Sequence, residues 1–360
     1  MKIVTIVGAR PQFIKAAALS RVIQRDRNIQ EVIIHTGQHF DDNMSKVFFD
    51  EMEIPEPQYH LDIHSLGHGA MTGRMLEAIE NILLIEKPDF VLIYGDTNST
   101  LAGALAAKKL HIRVAHVEAG LRSFNMQMPE EINRILSDRI SDILFCPTQQ
   151  AVANLRNEGY DHLDATVCNS GDIMYDAALF FRSKSGTNTR ILTKYHLTPG
   201  DYILGTIHRQ ENTDDIPRLM QIVAAFNHLH AERQVIVPLH PRTRNIMKNQ
   251  GIQPEFTVIE PVGYIDMTTL TSNAGMVMTD SGGLQKEAYF FGKYCLTLRD
   301  QTEWTELVEN GFNTIVGADK DTILDAYYTN RTNTPDFSTN LYGDGHAAEF
   351  ISAKLLTYPG

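Results

Sequence analysis

Three acidic residues occupy positions where a chain of alternating strands and helices keeps its chemistry. Asp96 follows the apolar run DFVLIYG, Glu118 follows IRVAHV, and Glu130 stands beside Glu131 at the start of the helical pattern PEEINRILSDRI. Open parallel sheets gather ligands at the carboxyl ends of their strands, so a carboxylate there carries more weight than one elsewhere. Asp96 could cap a helix beginning at Thr97 or Asn98. The helix macrodipole favours at least one of Glu130 and Glu131, and Arg134, one turn on, could be an intrahelical partner of either. Glu118 precedes a Gly-containing loop and has no helix to cap. On neighbouring connections of one sheet the three would converge, raise one another's pKa values and supply a general acid and a general base. The same set could instead hold a hard cation, which tolerates many arrangements, although no fixed ligand spacing is present.

Cations and glycines fall at the same kind of position. GARPQFIK brings Arg10 and Lys15 to a helix start, with Gly8 for a tight turn and Pro11 suited to the first helical turn. The pattern is an anion cradle without G-x-G-x-x-G or the Walker spacing, so neither a dinucleotide nor P-loop ATP is indicated. TIHRQEN places His208, Arg209, Glu211 and Asn212 just beyond a strand, and PLHPRTR does the same with His240, Arg242 and Arg244. A His beside an Arg at two strand ends reads as anion contact, with loop hydrogen bonding as the alternative. In TDSGGLQKEA, Ser281, Gly282 and Gly283 enter a helix whose exposed N–H groups can take a phosphate, and Glu287 sits one turn on. A Gly pair at a helix start is costly without such a use, unless helix and strand must approach closely. Carboxylates on one half and an anion site on the other suit a nucleotide-activated sugar. Its diphosphate would lie at the Ser281 helix, Glu287 would accept from ribose hydroxyls, and the sugar would face Asp96, Glu118 and Glu130.

The elements that must position these groups alternate along the whole chain. IVTIVG, EVIIHTG, DFVLIYGD, IRVAHVEAG and ILFCPT read as strands of a parallel sheet buried on both faces, separated by helical patterns of about ten to eighteen residues. A second series runs through YILGTIHR, RQVIVPLHP, FTVIEPV, GMVMTDSGG and YCLTLRD. The fold class is therefore α/β, two Rossmann-like domains facing a cleft. Residues 1–170 form the first and 171–344 the second, and the amphipathic segment 345–360 could dock on the first. SKSGTNT (183–189) is the linker-like stretch, and hinges are expected near Gly171 to Asp172 and at the start of the C-terminal helix. The 360 residues carry a formal charge of -12, which argues against a nucleic-acid backbone as partner. No apolar run is long enough to span a membrane, the opening apolar stretch is too short for a signal peptide, and the three cysteines form no C-x-x-C pair. A cytoplasmic protein is expected.

Six of these motifs, in this order along nearly the whole chain, resemble the non-hydrolysing UDP-N-acetylglucosamine 2-epimerases, whose fold is the two-domain glycosyltransferase type B. They are Gly8 to Lys15, Gly95 to Thr97, His116 to Arg122, Pro129 to Arg134, His208 to Asn212 and Asp280 to Glu287. The resemblance implies elimination and re-addition. A base removes the proton on carbon 2 while UDP departs from carbon 1, and the proton returns to the other face of the glycal. Asp96, Glu118 and Glu130 then become acid/base candidates, with His208 near the diphosphate. Arg10, Lys15, Arg134 and Arg209 would bind or stabilise the substrate, and Ser281, Gly282, Gly283 and Glu287 would hold UDP. No metal or other cofactor is implied, the partner is the UDP-sugar itself, and a homodimer is expected. Three features depart from many members: GARPQ in place of GTRPE, Gln38 and His39 followed by Phe40 and Asp41, and the later loop HSLGHGAMTG. They make allosteric activation by a second UDP-sugar doubtful. GARPQFIKAA, MPEEINR and Thr302 to Trp304 look like the branch acting on UDP-2,3-diacetamido-2,3-dideoxyglucuronate, which leaves the substituents on carbons 3 and 5 open.

Overall fold

Runs of Val, Ile and Leu with no polar alternation can be satisfied only by strands covered on both faces. The computed structural model builds two parallel sheets from them and describes residues 1–38, 53, 55–185, 189–333 and 335–358. His39, Phe40, Asp41 and residues 186–188 of the linker-like stretch lie outside the described residues. The chain divides into two compact units, Met1–Ala177 with Leu341–Gly360, and Ala178–Asn340.

In the first unit the strands are β1 (Lys2–Val7), β2 (Gln30–His35), β3 (Tyr59–His60), β4 (Phe90–Tyr94), β5 (Arg113–Val117), β6 (Ile143–Cys146) and β7 (Thr166–Asn169). They pair in the order β3-β2-β1-β4-β5-β6-β7, every ladder parallel. The helices among the described residues are α1 (Arg10–Arg25), α2 (His68–Glu86), α3 (Asn98–Lys109), α4 (Pro129–Ile140), α5 (Gln149–Asn157) and α6 (Ile173–Ser185), in which the chain passes to the second unit. Val4, Ile6 and Ile93 pack against Met75, Ile79, Ala102 and Ala106, so α2 and α3 close one face of the sheet. β1 lies between β2 and β4, so the strand order reverses beside it. The loops after β1 and β4 diverge there and open a crevice at the carboxyl end of the sheet.

The second unit repeats the plan with six strands: β8 (Ile203–Thr206), β9 (Val235–Pro238), β10 (Thr257–Ile259), β11 (Met276–Thr279), β12 (Cys295–Thr297) and β13 (Asn313–Ile315). Their order, β10-β9-β8-β11-β12-β13, reverses between β8 and β11. Its helices are α7 (Arg190–Lys194), α8 (Gln210–Thr213), α9 (Ile216–His230), α10 (Pro241–Asn249), α11 (Tyr264–Asn273), α12 (Gly282–Phe290), α13 (Thr305–Glu309) and α14 (Lys320–Asn330). Phe226 and Leu229 of α9 and Ile323 and Tyr327 of α14 fill one face with Met276, Met278 and Leu296.

The last helix, α15 (Ala347–Thr357), returns to the first unit and packs on α1, burying Ala347, Ala348, Ile351 and Leu355. Its first turn is tied down by Asp176 of α6, whose Oδ2 accepts from the Ala348 N–H at 2.7 Å. Burial raises the Asp176 carboxyl from its ordinary value of 3.8 to about 6, against the pull of the helix N–H groups. A carboxyl raised on folding stabilises the fold in its protonated form, so stability should fall as pH climbs from about 4 through about 6. Asp176→Asn keeps an acceptor for Ala348 without a charge. Thermal melts across that range should show this slope in the native protein and its loss in the variant.

Candidate active site

Both loops at the first reversal are held by one side chain. Gln12, buried in the first turn of α1, accepts from the Gly8 and Ala9 N–H groups at 2.8 and 3.0 Å. Its amide nitrogen donates to the Tyr94 carbonyl at 2.7 Å and to the Thr97 and Thr100 hydroxyls at 3.0 Å. The GARPQ departure in the sequence is this clamp. Thr97 is the N-cap of α3, its hydroxyl accepting from the Thr100 N–H at 3.3 Å, so Asp96 is released from capping and turns toward the crevice.

A cavity of about 220 Å3 opens there, lined by Lys15, Gln38, His68, Asp96, Asn98, Glu130 and Asn133 among others. Lys15 of α1 pairs with Glu118, and Arg134 of α4 pairs with Asp96. Glu118 stands immediately after β5 with φ +70, a conformation costly for a side chain of its kind, and so part of the loop's stability is spent on aiming it. Burial raises the Asp96 carboxyl above its usual range and the charge of Glu118 adds to the shift, while Arg134 and Lys15 act against it. Each of these two acids faces its own cation, which disfavours the hard-metal alternative, and no group of three or more potential ligands occurs among the described residues. The structure thus brings Lys15, Asp96, Glu118, Glu130 and Arg134 together. Arg10 lies at the same helix start, partly buried.

The two adjacent glutamates of α4 separate sharply. Glu130 is exposed at the mouth of the cavity. Glu131 is buried and accepts from the Ser123 N–H (2.9 Å), the Ser123 hydroxyl (3.0 Å), the Phe124 N–H (3.0 Å) and Arg134 Nη1 (2.6 Å). Burial works against its charge, but the Ser123 bonds and Arg134 outweigh it and hold the carboxyl below its usual range. Sequence reasoning also passed over Gln38, His68, Asn98 and Asn133. Their signal was that Asn98 and Asn133 fall within or beside motifs already singled out, and that Gln38 and the loop bearing His68 depart from the pattern of many members.

At the reversal in the second unit, Asp280 ends β11 fully buried and accepts from His208 N–H, Arg209 N–H and the Asn212 amide at 3.0, 3.0 and 3.3 Å. His208 Nδ1 is 2.9 Å from its carboxylate, which fixes the ring and leaves Nε2 on the exposed side. Burial pushes Asp280 up, yet these bonds hold it below the usual range. Ser281 caps α12, accepting from the Leu284 N–H at 3.5 Å. The Gly pair serves two purposes. A Cβ at Gly282 would lie 2.2 Å from Glu303 Oε1, so Gly282 answers to close packing, while a Cβ at Gly283 would meet nothing within 4 Å. Arg209 lies 3.9 Å from Glu303, and Glu287 is buried on α12.

The other His–Arg pair does not join this group. His240 Nδ1 accepts from the Arg242 N–H at 3.2 Å as the cap of α10, Arg242 pairs with Asp214 and Arg244 with Glu260. Local hydrogen bonding, the alternative reading of that strand end, accounts for these residues.

Two parallel α/β units, each with its polar groups at a strand-order reversal, define the two-domain glycosyltransferase type B class. Residues 21–356 match the family model described as UDP-N-acetylglucosamine 2-epimerase. The chain is 54% identical to UDP-2,3-diacetamido-2,3-dideoxy-D-glucuronate 2-epimerase of Pseudomonas aeruginosa over 99% of both chains. It is 42% identical to UDP-N-acetylglucosamine 2-epimerase of Methanocaldococcus jannaschii, again over 99% of both. The crystal structure of Methanocaldococcus jannaschii UDP-GlcNAc 2-epimerase in complex with UDP-GlcNAc and UDP is similar over the whole of both chains, with a TM-score of 0.88. The chain belongs to the UDP-N-acetylglucosamine 2-epimerase family, and it is an enzyme of the isomerase class, an epimerase.

The split between the two glutamates makes a measurable contrast. Glu131→Gln should cost roughly 1–3 kcal/mol in urea unfolding, since it weakens a buried, multiply bonded acceptor. Glu130→Gln should stay within about 0.5 kcal/mol of the native protein and lower turnover instead.

Proposed function

We propose that the enzyme interconverts UDP-N-acetylglucosamine and UDP-N-acetylmannosamine without net hydrolysis. The observation that carries this reading is one cavity on the first unit lined by Asp96, Glu130 and Lys15, with Glu118 paired to that Lys15 and Arg134 to that Asp96. One carboxylate takes the proton from carbon 2. The electron pair of that C–H bond forms the double bond to carbon 1, and the pair of the C1–O bond leaves with UDP. A second carboxylic acid returns a proton to the opposite face of carbon 2 as the UDP oxygen adds back to carbon 1. The carbon acid has no adjacent carbonyl, so its removal relies on a well-stabilised leaving group. His208, Arg209, Arg10 and the N–H groups at Ser281 to Gly283 are the residues we assign to the diphosphate, with Glu287 toward the ribose. Asn98, Asn133 and Gln38 offer neutral hydrogen-bonding groups suited to an acetamido substituent, and His68 lines the same cavity. We extend the reading to a homodimer working in the cytoplasm and feeding polysaccharide biosynthesis. The 54% identity to the diacetamidoglucuronate enzyme favours a second reading, the same reaction on a sugar with acetamido and carboxylate substituents at carbons 3 and 5.

Incubation with each UDP-sugar in deuterated water, followed by proton NMR, tests both. Exchange at carbon 2 with epimer formation is expected, and the sugar that reacts faster decides between them. Transfer or release of the sugar, or binding with no exchange, would overturn the epimerase reading. Glu118→Gln should lower turnover at least ~100-fold with the fold intact, the usual loss for a general acid or base. Gly283→Val should fold normally, since nothing lies within 4 Å of its Cβ, and should weaken UDP binding in calorimetry.

A further inference from the structure

His116 lies in β5, two residues before Glu118, and Asp138 lies in α4; neither has any exposed surface. His116 Nδ1 is 2.7 Å from Asp138 Oδ1, and its Nε2 is 2.7 Å from the Gly95 carbonyl oxygen. A neutral imidazole has one donor nitrogen and one acceptor. Here both partners accept. A carbonyl oxygen can do nothing else, and the Arg122 guanidinium, donating to Asp138 Oδ2 at 2.7 Å beside the Gly120 N–H at 3.1 Å, favours the carboxylate form of Asp138. Burial pushes the Asp138 carboxyl up, but the bonds from His116 and the charge of Arg122 outweigh it and hold it below the usual range. Charge balance agrees. Arg122 also binds the solvent-exposed Glu158 through two bonds of 2.6 and 2.8 Å, so its single positive charge is shared between two carboxylates and a donating His116 adds to it. Among the described residues, Cys146 of β6 and Tyr160 also face this cluster, both raised first by burial and then by Asp138 and so uncharged, and the Arg139 guanidinium lies 5.9 Å over the Tyr160 ring on the exposed side of α4.

We infer that His116 is a positioning residue, donating from both ring nitrogens, whose grip on the Gly95 carbonyl fixes the turn bearing Asp96 against the strand end bearing Glu118. This rests on the reaction proposed above. The grip has little slack. Gly95 has φ +60, and the place of a Cβ on it lies 3.1 Å from Glu118 Oε2 and 3.3 Å from Lys15 Nζ, so a shifted turn runs into the Lys15–Glu118 pair. Through Asp138 the same ion pair reaches Gly120, just past Glu118, and α4, which carries Glu130. The buried positive charge also offsets the repulsion between Asp96 and Glu118. Removing it makes their ionised forms less favourable.

Two measurements test the inference. In protein labelled with 15N only at histidine, long-range 15N–1H correlation should show both ring nitrogens of His116 protonated across roughly pH 7.5 to 9, where an ordinary histidine has lost most of its charge. His116→Gln keeps an amide donor for Gly95 but no charge. It should retain UDP affinity, lose at least about tenfold in kcat for carbon 2 exchange with KM little changed, and shift the acid limb of the kcat–pH profile to higher pH, because the base now ionises later. A neutral His116, or a variant whose kcat falls with the limb unmoved, overturns the assignment while the epimerase reading stands. Absence of carbon 2 exchange in the native protein overturns the reaction and the assignment together. Should the variant fail to fold, the spectrum of the native protein decides alone.

Discussion

A carboxylate removed from water must be fully paired, and Asp138 meets that demand by reaching three neighbours on different segments. His116 of β5, Arg122 of the following loop and the Gly120 N–H all converge on it from one side of the sheet, while the residue itself belongs to α4. None of these segments can move independently without stranding a buried charge, which costs far more than a surface contact returns. Asp96 rides on the connection after β4, which His116 reaches through the Gly95 carbonyl, and Glu118 and Glu130 on the connection from β5 into α4. Their mutual arrangement is therefore set by an ion cluster that never meets solvent.

The polar groups above that cluster are arranged at some cost to stability. Glu118 has a left-handed backbone, Asp96 is raised by burial and by a like charge, and Gln12 spends its whole amide on two loops. A chain selected for stability alone would have relaxed such features. Their concentration at the β1/β4 reversal is what the chemistry of a carbon acid requires, since a base must be desolvated enough to be strong and still be held near its partner acid.

Much of this was legible in the sequence. The strand ends followed from unbroken apolar runs closed by Gly, Asp or Pro, and the two parallel α/β sheets followed from their alternation with helices. What escaped were distinctions between neighbours of the same type. Glu130 and Glu131 differ only in which way the first turn of α4 faces, and Gly282 and Gly283 only in whether Glu303 lies over them. His240 and His208 share a motif shape, yet one caps a helix and the other is oriented by Asp280. Composition and spacing carry no information on which of two adjacent residues meets a distant loop. Asp138 was invisible for the same reason, being one acidic residue among several on an amphipathic helix. Gln12 was visible only as a departure, GARPQ in place of GTRPE, and its role in holding two loops came from the structure.

The two units use one device for two ends. In each, a buried aspartate takes a histidine at the crevice side of the sheet: Asp138 with His116, and Asp280 with His208. In the first, both ring nitrogens are consumed, by a carboxylate and a carbonyl, and the histidine is wholly enclosed. In the second, the aspartate takes only Nδ1, and about half of the histidine side chain remains exposed with Nε2 turned outward. An imidazole fixed at one nitrogen by a carboxylate and open at the other can take up a proton at the open nitrogen and donate it to an anion, whereas one fixed at both can only hold the backbone around it. In the reaction proposed above, the same pair would thus serve as a brace where three acids are kept in register, and as an aimed donor where the leaving phosphate is met.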